Sequence, residues 1–188
     1  MLKHIEEFSK HVAVTGFKNV KIKDTEDFLK KICREKKPNT EIQLFDAQHV
    51  ATWQHLYFAA LNALTAFKNK TNISKSLAME TMLYASAQHQ IRKATELVGI
   101  KHDSSNVAVL VIGDKREIVE AIVSLVSKRV GSLPSDAVLE LSPEKSRIIK
   151  KAFEISDTES RDISKKVGSE EALVDLVIER MALLATQR

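Results

Sequence analysis

Six histidines, at positions 4, 11, 49, 55, 89 and 102, are the residues of this 188-residue chain best suited to metal or acid–base chemistry. No two stand four apart, and none has a carboxylate at metal-ligand spacing, so their pattern predicts no metal site. Serines are plentiful, but none lies in a GxSxG elbow, and Cys33 sits in a lysine-rich stretch without a neighbouring base to activate it. One cysteine cannot close an internal disulfide, and it supplies too few thiolates for structural zinc. The five glycines, at 16, 99, 113, 131 and 168, are too dispersed to build a phosphate-cradling loop of either common type. The residues therefore predict no catalytic constellation, no metal and no cofactor.

Charge is more informative. The net charge is +4. Between Lys68 and Lys101 lie Lys68, Lys70, Lys75, Arg92, Lys93 and Lys101 against only Glu80 and Glu96, so this segment carries the whole excess. Such localisation predicts a footprint for an anionic partner, although a solvated surface is the simpler reading of six cations. His89 and Gln90 add hydrogen-bonding groups at the start of an expected helix, where free backbone N–H groups face solvent.

These residues need elements to position them. Alternation in HVAVTGF predicts a strand over 11–17, and Asp24 opens an acid-first, base-last helix that Pro38 ends. EIQLF reads as a strand. Asp46 is expected to cap a long helix with a stripe of Val50, Trp53, Tyr57, Leu61, Leu64 and Phe67. A turn at Asn72 or Ser74 leads into ETMLYAS, which has the length and alternation of a strand. Ser86 is then expected to cap a helix over 87–98, closed by Gly99 in the left-handed conformation with Ile100 following. NVAVLVI is a strand buried on both faces, Asp114 and Glu117 form a capping box for the helix over 116–130, and Ser142 with Pro143 starts another. The polar run over 155–168 reads as a surface loop before a last helix opened by Ser169.

That last helix spreads Leu173, Val174, Leu176, Val177, Ile178, Met181, Leu183 and Leu184 over about 220° at about 100° per residue. A helix resting on one side of a core needs a stripe of about 100°, so the surplus is to be buried against either two internal neighbours or another protein. The fold class expected is α+β: a single domain over 1–188, with a mixed, mostly antiparallel sheet packed by helices and an amphipathic C-terminal helix. The longest apolar run, 107–112, is far short of a membrane span. MLKHIEEFSK has glutamates where a signal peptide is apolar, which predicts a cytoplasmic protein with no membrane partner.

At the level of motif, NISKSLAMETMLYASAQHQIRKATELVGI resembles the central signature of the KEOPS kinase-binding accessory subunit family, the archaeal CGI-type subunit. ALVDLVIERMALLA is similar to that family's C-terminal helix, and VTGFKNVKIKD to its opening. The likeness departs at His89, where many archaeal members carry arginine. It implies a non-catalytic subunit of the complex that installs threonylcarbamoyl on the adenosine beside the anticodon of certain tRNAs. It also implies binding to the small atypical kinase/ATPase subunit and to the single-stranded 3′ CCA end of tRNA, with other KEOPS subunits reached indirectly. Carried onto this chain, the kinase contact falls on Leu173, Leu176, Val177, Arg180, Met181 and Leu184. The RNA contact falls on Lys70, Asn72, Lys75, His89, Gln90, Arg92 and Lys93. Two other readings stand beside it: a kinase regulator that binds no RNA, and an enzyme whose site gathers dispersed residues around His89 or His49.

Overall fold

The structure is a computed structural model that describes residues 1–186. Four antiparallel strands, β1 (Leu2–Ile5), β2 (Lys10–Phe17), β3 (Thr40–Asp46) and β4 (Val107–Gly113), form one sheet in the order β1-β2-β4-β3. β4 is central, and alternation along it divides the core. Ala108, Leu110 and Ile112 face one side with Val12, Val14 and Phe45; Val107, Val109 and Val111 face the other with Ala13, Phe17, Ile42 and Leu44. Helices cover both faces, which is why this strand reads as an unbroken apolar run.

One face carries α1 (Thr25–Cys33) and α5 (Arg116–Val130), which supply Ile32, Val119, Ile122 and Val126. Asp24 caps α1 by accepting the Asp27 N–H at 2.7 Å. The other face carries α2 (Trp53–Lys68), α3 (Leu77–Ala85) and α4 (Ile91–Val98). A third cluster joins α6 (Pro143–Ala152) to α8 (Ser169–Thr186) through Ile149, Phe153, Leu173, Val174, Leu176 and Val177. Within the layer of α2, α3 and α4, His55 is fully buried and clamps two elements. Its Nδ1 accepts the Ala51 N–H at 3.1 Å, and its Nε2 lies 2.8 Å from the Ala85 carbonyl. Burial pushes its pKa down to about 4, so the neutral imidazole serves as acceptor and donor.

Gly16 is fixed by a close approach. The 3₁₀ turn Asp136–Leu139 crosses β2 there, and a Cβ at 16 would lie 2.5 Å from the Val138 Cβ and 2.8 Å from the Ser135 carbonyl.

Several local expectations change. ETMLYAS is not a strand: α3 occupies it, capped by Ser76, whose Oγ accepts the Met79 N–H. Every residue from Ala78 to Ala85 except Met79 is buried, so the helix has no one-sided stripe and its periodicity is hidden. Ser86 ends α3, and α4 begins only at Ile91. Asp46 caps the 3₁₀ turn Ala47–His49 by accepting the Gln48 N–H, while α2 starts seven residues beyond it. Asp114 forms an ion pair with Lys10, and Lys115 takes the N-cap position of α5 without a side-chain cap. Gly99 has φ −70°, so left-handed geometry does not explain it; a Cβ there would stand 2.4 Å from the Thr95 carbonyl oxygen. The polar run expected as a loop contains α7 (Asp157–Val167). Ser156 and Glu159 form its capping box: Glu159 Oε2 accepts the Ser156 N–H at 2.8 Å, and Ser156 Oγ accepts the Glu159 N–H at 3.2 Å.

Candidate nucleic-acid and protein interface

The loop over 69–76 begins where α2 closes. Lys70 takes the left-handed conformation, φ 57°, while its N–H bonds the Phe67 carbonyl and the Thr71 N–H bonds the Ala66 carbonyl. This closure normally falls to glycine, because a Cβ disfavours positive φ. From the first turn of α3, the fully buried Glu80 reaches back, and its Oε2 accepts the N–H groups of Ile73 at 3.0 Å and Ser74 at 2.7 Å. Asn72 donates its side-chain amide to the Ser74 carbonyl at 3.0 Å, and the Ser76 N–H bonds Ser74 Oγ. The loop backbone is thus held from within, while Lys70, Lys75 and Ile73, the last 43% exposed, stand outward.

A second left-handed closure, at Ala87 with φ 51°, ends α3 and reverses the chain. α4 then runs back along α3, with Thr95 Oγ1 3.7 Å from Met82 Sδ. Its outer side exposes Ile91, 46% accessible, beside Gln90, Arg92 and Lys93. As a helix, the nine residues of α3 cover only about 13 Å, less than half of what they would span as a strand.

Ion pairing sorts the cations. Lys68 bonds Glu7 at 2.9 Å and Arg92 bonds Glu96 at 2.8 Å, whereas Lys70, Lys75, Lys93 and Lys101 are exposed and have no ion-pair partner among the described residues. The free cations alternate with Ile73 and Ile91, so charge lies beside apolar surface suited to the face of a base. His89 is half-buried, and its Nε2 has no hydrogen-bond partner among the described residues.

The C-terminal helix resolves its surplus apolar arc inward. Leu173, Leu176 and Val177 pack with α6, while Met181 and Leu184 join the core beneath the sheet; all five are buried. Internal packing on two sides therefore accounts for the wide stripe apart from Leu183, which stays exposed. The residues expected to touch a kinase directly instead seat the helix, since a buried side chain cannot also be presented to a partner. Arg180 is half-buried, and its guanidinium meets Glu159 Oε1 at 2.7 Å. The hydrogen bonds from Ser156, and after them that contact, hold the Glu159 pKa down to about 2. The outward arc consists of Glu171, Asp175, Glu179, Ala182, Leu183, Ala185 and Thr186.

A family model described as kinase binding protein CGI-121 matches residues 17–185. The chain belongs to that family. Among its relatives, the "Regulatory protein Cgi121" of Methanocaldococcus jannaschii is 29% identical over 148 residues, spanning 79% of this chain and 86% of that protein. The CGI-121 match covers the basic loop, α3, α4 and nearly all of α8. Among the described residues of this CGI-121 family member, no group of three His, Cys, Asp or Glu is placed to hold a metal ion. No described helix is long and apolar enough to cross a membrane. Of the residues expected at RNA, Lys70, Lys75, Gln90, Arg92 and Lys93 are each exposed, whereas Asn72 helps to build the loop and His89 is partly enclosed. Sequence reasoning missed Glu80, Ile73 and Ile91. Glu80 had a signal: an acid four residues past a serine cap, inside an otherwise apolar helix.

Proposed function

We propose that this CGI-121 family member is a non-catalytic accessory subunit of the KEOPS tRNA-modifying complex. Its C-terminal helix binds the kinase/ATPase subunit, and its basic ridge binds the single-stranded 3′ CCA end of tRNA. Family membership supports the kinase partner. The observation that carries the RNA reading is the loop over 69–76, braced by a buried carboxylate so that unpaired lysines and Ile73 stand outward. Single-stranded RNA offers phosphates to such lysines and splayed bases to such apolar side chains. At the kinase, the outward arc of α8 makes the contact, with Leu183 as its apolar anchor at 39% exposure; Leu173, Leu176, Val177, Met181 and Leu184 fix the helix beneath it, and Arg180 ties it to α7.

Co-purification from native extract tests both partners together. The expected result is one kinase and tRNA in the same fraction, with the tRNA alone released by added salt. Recovery of the kinase without tRNA, even at low salt, would favour a regulator that binds no RNA. That alternative draws support from the Methanocaldococcus jannaschii relative, which is named a regulatory protein. Turnover of a small substrate by the isolated chain would contradict the non-catalytic reading.

A further inference from the structure

Lys145 lies in the first turn of α6 with 8% of its surface exposed, and among the described residues it has no carboxylate salt bridge. Its Nζ donates instead to two backbone carbonyls, Val138 at 3.0 Å and Glu140 at 3.1 Å. Two acceptors satisfy both N–H bonds of a neutral amine and leave its lone pair unused; an ammonium would carry a third proton with no described acceptor. Lys145 also lines a cavity of about 340 Å³, together with Lys18, Asn106, Ser142 and Glu144. The volume suits a small molecule.

We propose that Lys145 is an acyl-acceptor site, whose amine takes the acyl group of a small acyl phosphate admitted by this cavity. Lys18 is the lining cation placed to meet the phosphate, and it offsets part of the repulsion from Glu140 and Glu144 in the same lining. In the transfer the Nζ lone pair attacks the acyl carbon and the C–N bond forms. The C–O bond to phosphate breaks, its electron pair leaves on the phosphate, and the amine proton passes to that phosphate. The neutral amide keeps one N–H for one of the two carbonyls. The charged or titratable neighbours are Glu140 and Glu144, which favour the ammonium, and Lys18 and His55, which favour the amine when they are protonated. Burial outweighs Glu140 and pushes the Lys145 pKa down to about 8. At about pH 7.5 roughly a quarter of Lys145 is then neutral, against roughly a thousandth of an ordinary lysine.

The test treats the folded full chain with acetyl phosphate at about pH 7.5 and measures acetylation of each lysine by peptide mass spectrometry. Lys145 is expected to react at least tenfold faster than exposed Lys70 and Lys75, and to lose that lead in denaturing urea. Glu140→Gln keeps the backbone acceptor, removes the opposing carboxylate and is expected to raise the Lys145 rate further. Reaction no faster than that of Lys70 and Lys75 in the folded protein would overturn the proposal. A lead that persists in urea would also overturn it, because the fold would then contribute nothing.

Discussion

Replacing Lys70 with glycine separates what this residue does for folding from what it does for RNA. At φ 57° the lysine holds a conformation that costs an L-residue about 1–2 kcal/mol, and glycine there is free of that cost. Glycine also widens the unfolded ensemble, which takes back about 0.4–1 kcal/mol. The net gain is about 0.5–1 kcal/mol, and for a chain of this length the midpoint of thermal unfolding should rise by about 2 °C. RNA binding should move the other way. Losing one phosphate contact to a single strand lowers the slope of log affinity against log salt by about 0.7, so wild-type affinity falls about 2.6-fold more than the variant's between about 50 and 200 mM salt. Thermal melts and salt titrations with tRNA measure both quantities. Lys70→Asn, which tolerates positive φ, serves as a charge-free control. A more stable variant with an unchanged salt slope would remove Lys70 from the RNA surface, and a lowered midpoint would refute the helix-closure argument.

Glu80→Gln replaces a charged acceptor of two backbone N–H groups and should cost about 1–3 kcal/mol; hydrogen exchange at the Ile73 and Ser74 amides should accelerate, and unchanged protection there would deny the brace. His55 titrates at about 4 when folded against 6.5 when free, so the unfolded chain takes up the proton first. Stability should fall as the pH drops from about 6.5 towards 4, by at most about 3 kcal/mol, and urea melts of His55→Gln should show a shallower decline. Leu183→Asp should leave the fold and its melting midpoint intact while weakening kinase capture, whereas Met181→Asp buries a charge and should unfold the protein. The opposite pattern in circular dichroism and pull-down would exchange the inner and outer arcs of α8.

NVAVLVI announced a strand covered on both faces, and the acid-first segment after Asp24 announced α1, because composition and position along those segments reflect local rules. α3 escaped for the reason that makes it stable: burial on nearly all sides erases the period by which a helix is read. The helix over 157–167 was legible in principle through Ser156 and Glu159, but its low apolar content outweighed the cap. At the candidate site, the local excess of cations could be counted from the sequence. The Arg92–Glu96 pairing, four residues apart, could be read too, but that of Lys68 could not, because its partner lies 61 residues away. Glu80 became meaningful only when its carboxylate was found beneath the loop. The breadth of the apolar arc on α8 was legible as well, but choosing between two internal neighbours and a foreign one requires knowing where α6 and the sheet stand.

Binding of the isolated protein to one tRNA, prepared with its CCA end intact and with that end trimmed, tests the RNA reading most directly. Stacking contributes about 1–3 kcal/mol per base, so loss of even one stacked base should weaken binding by about tenfold. The intact tRNA is therefore predicted to bind at least about tenfold more tightly at the same salt concentration. Equal affinity for the two would contradict the account.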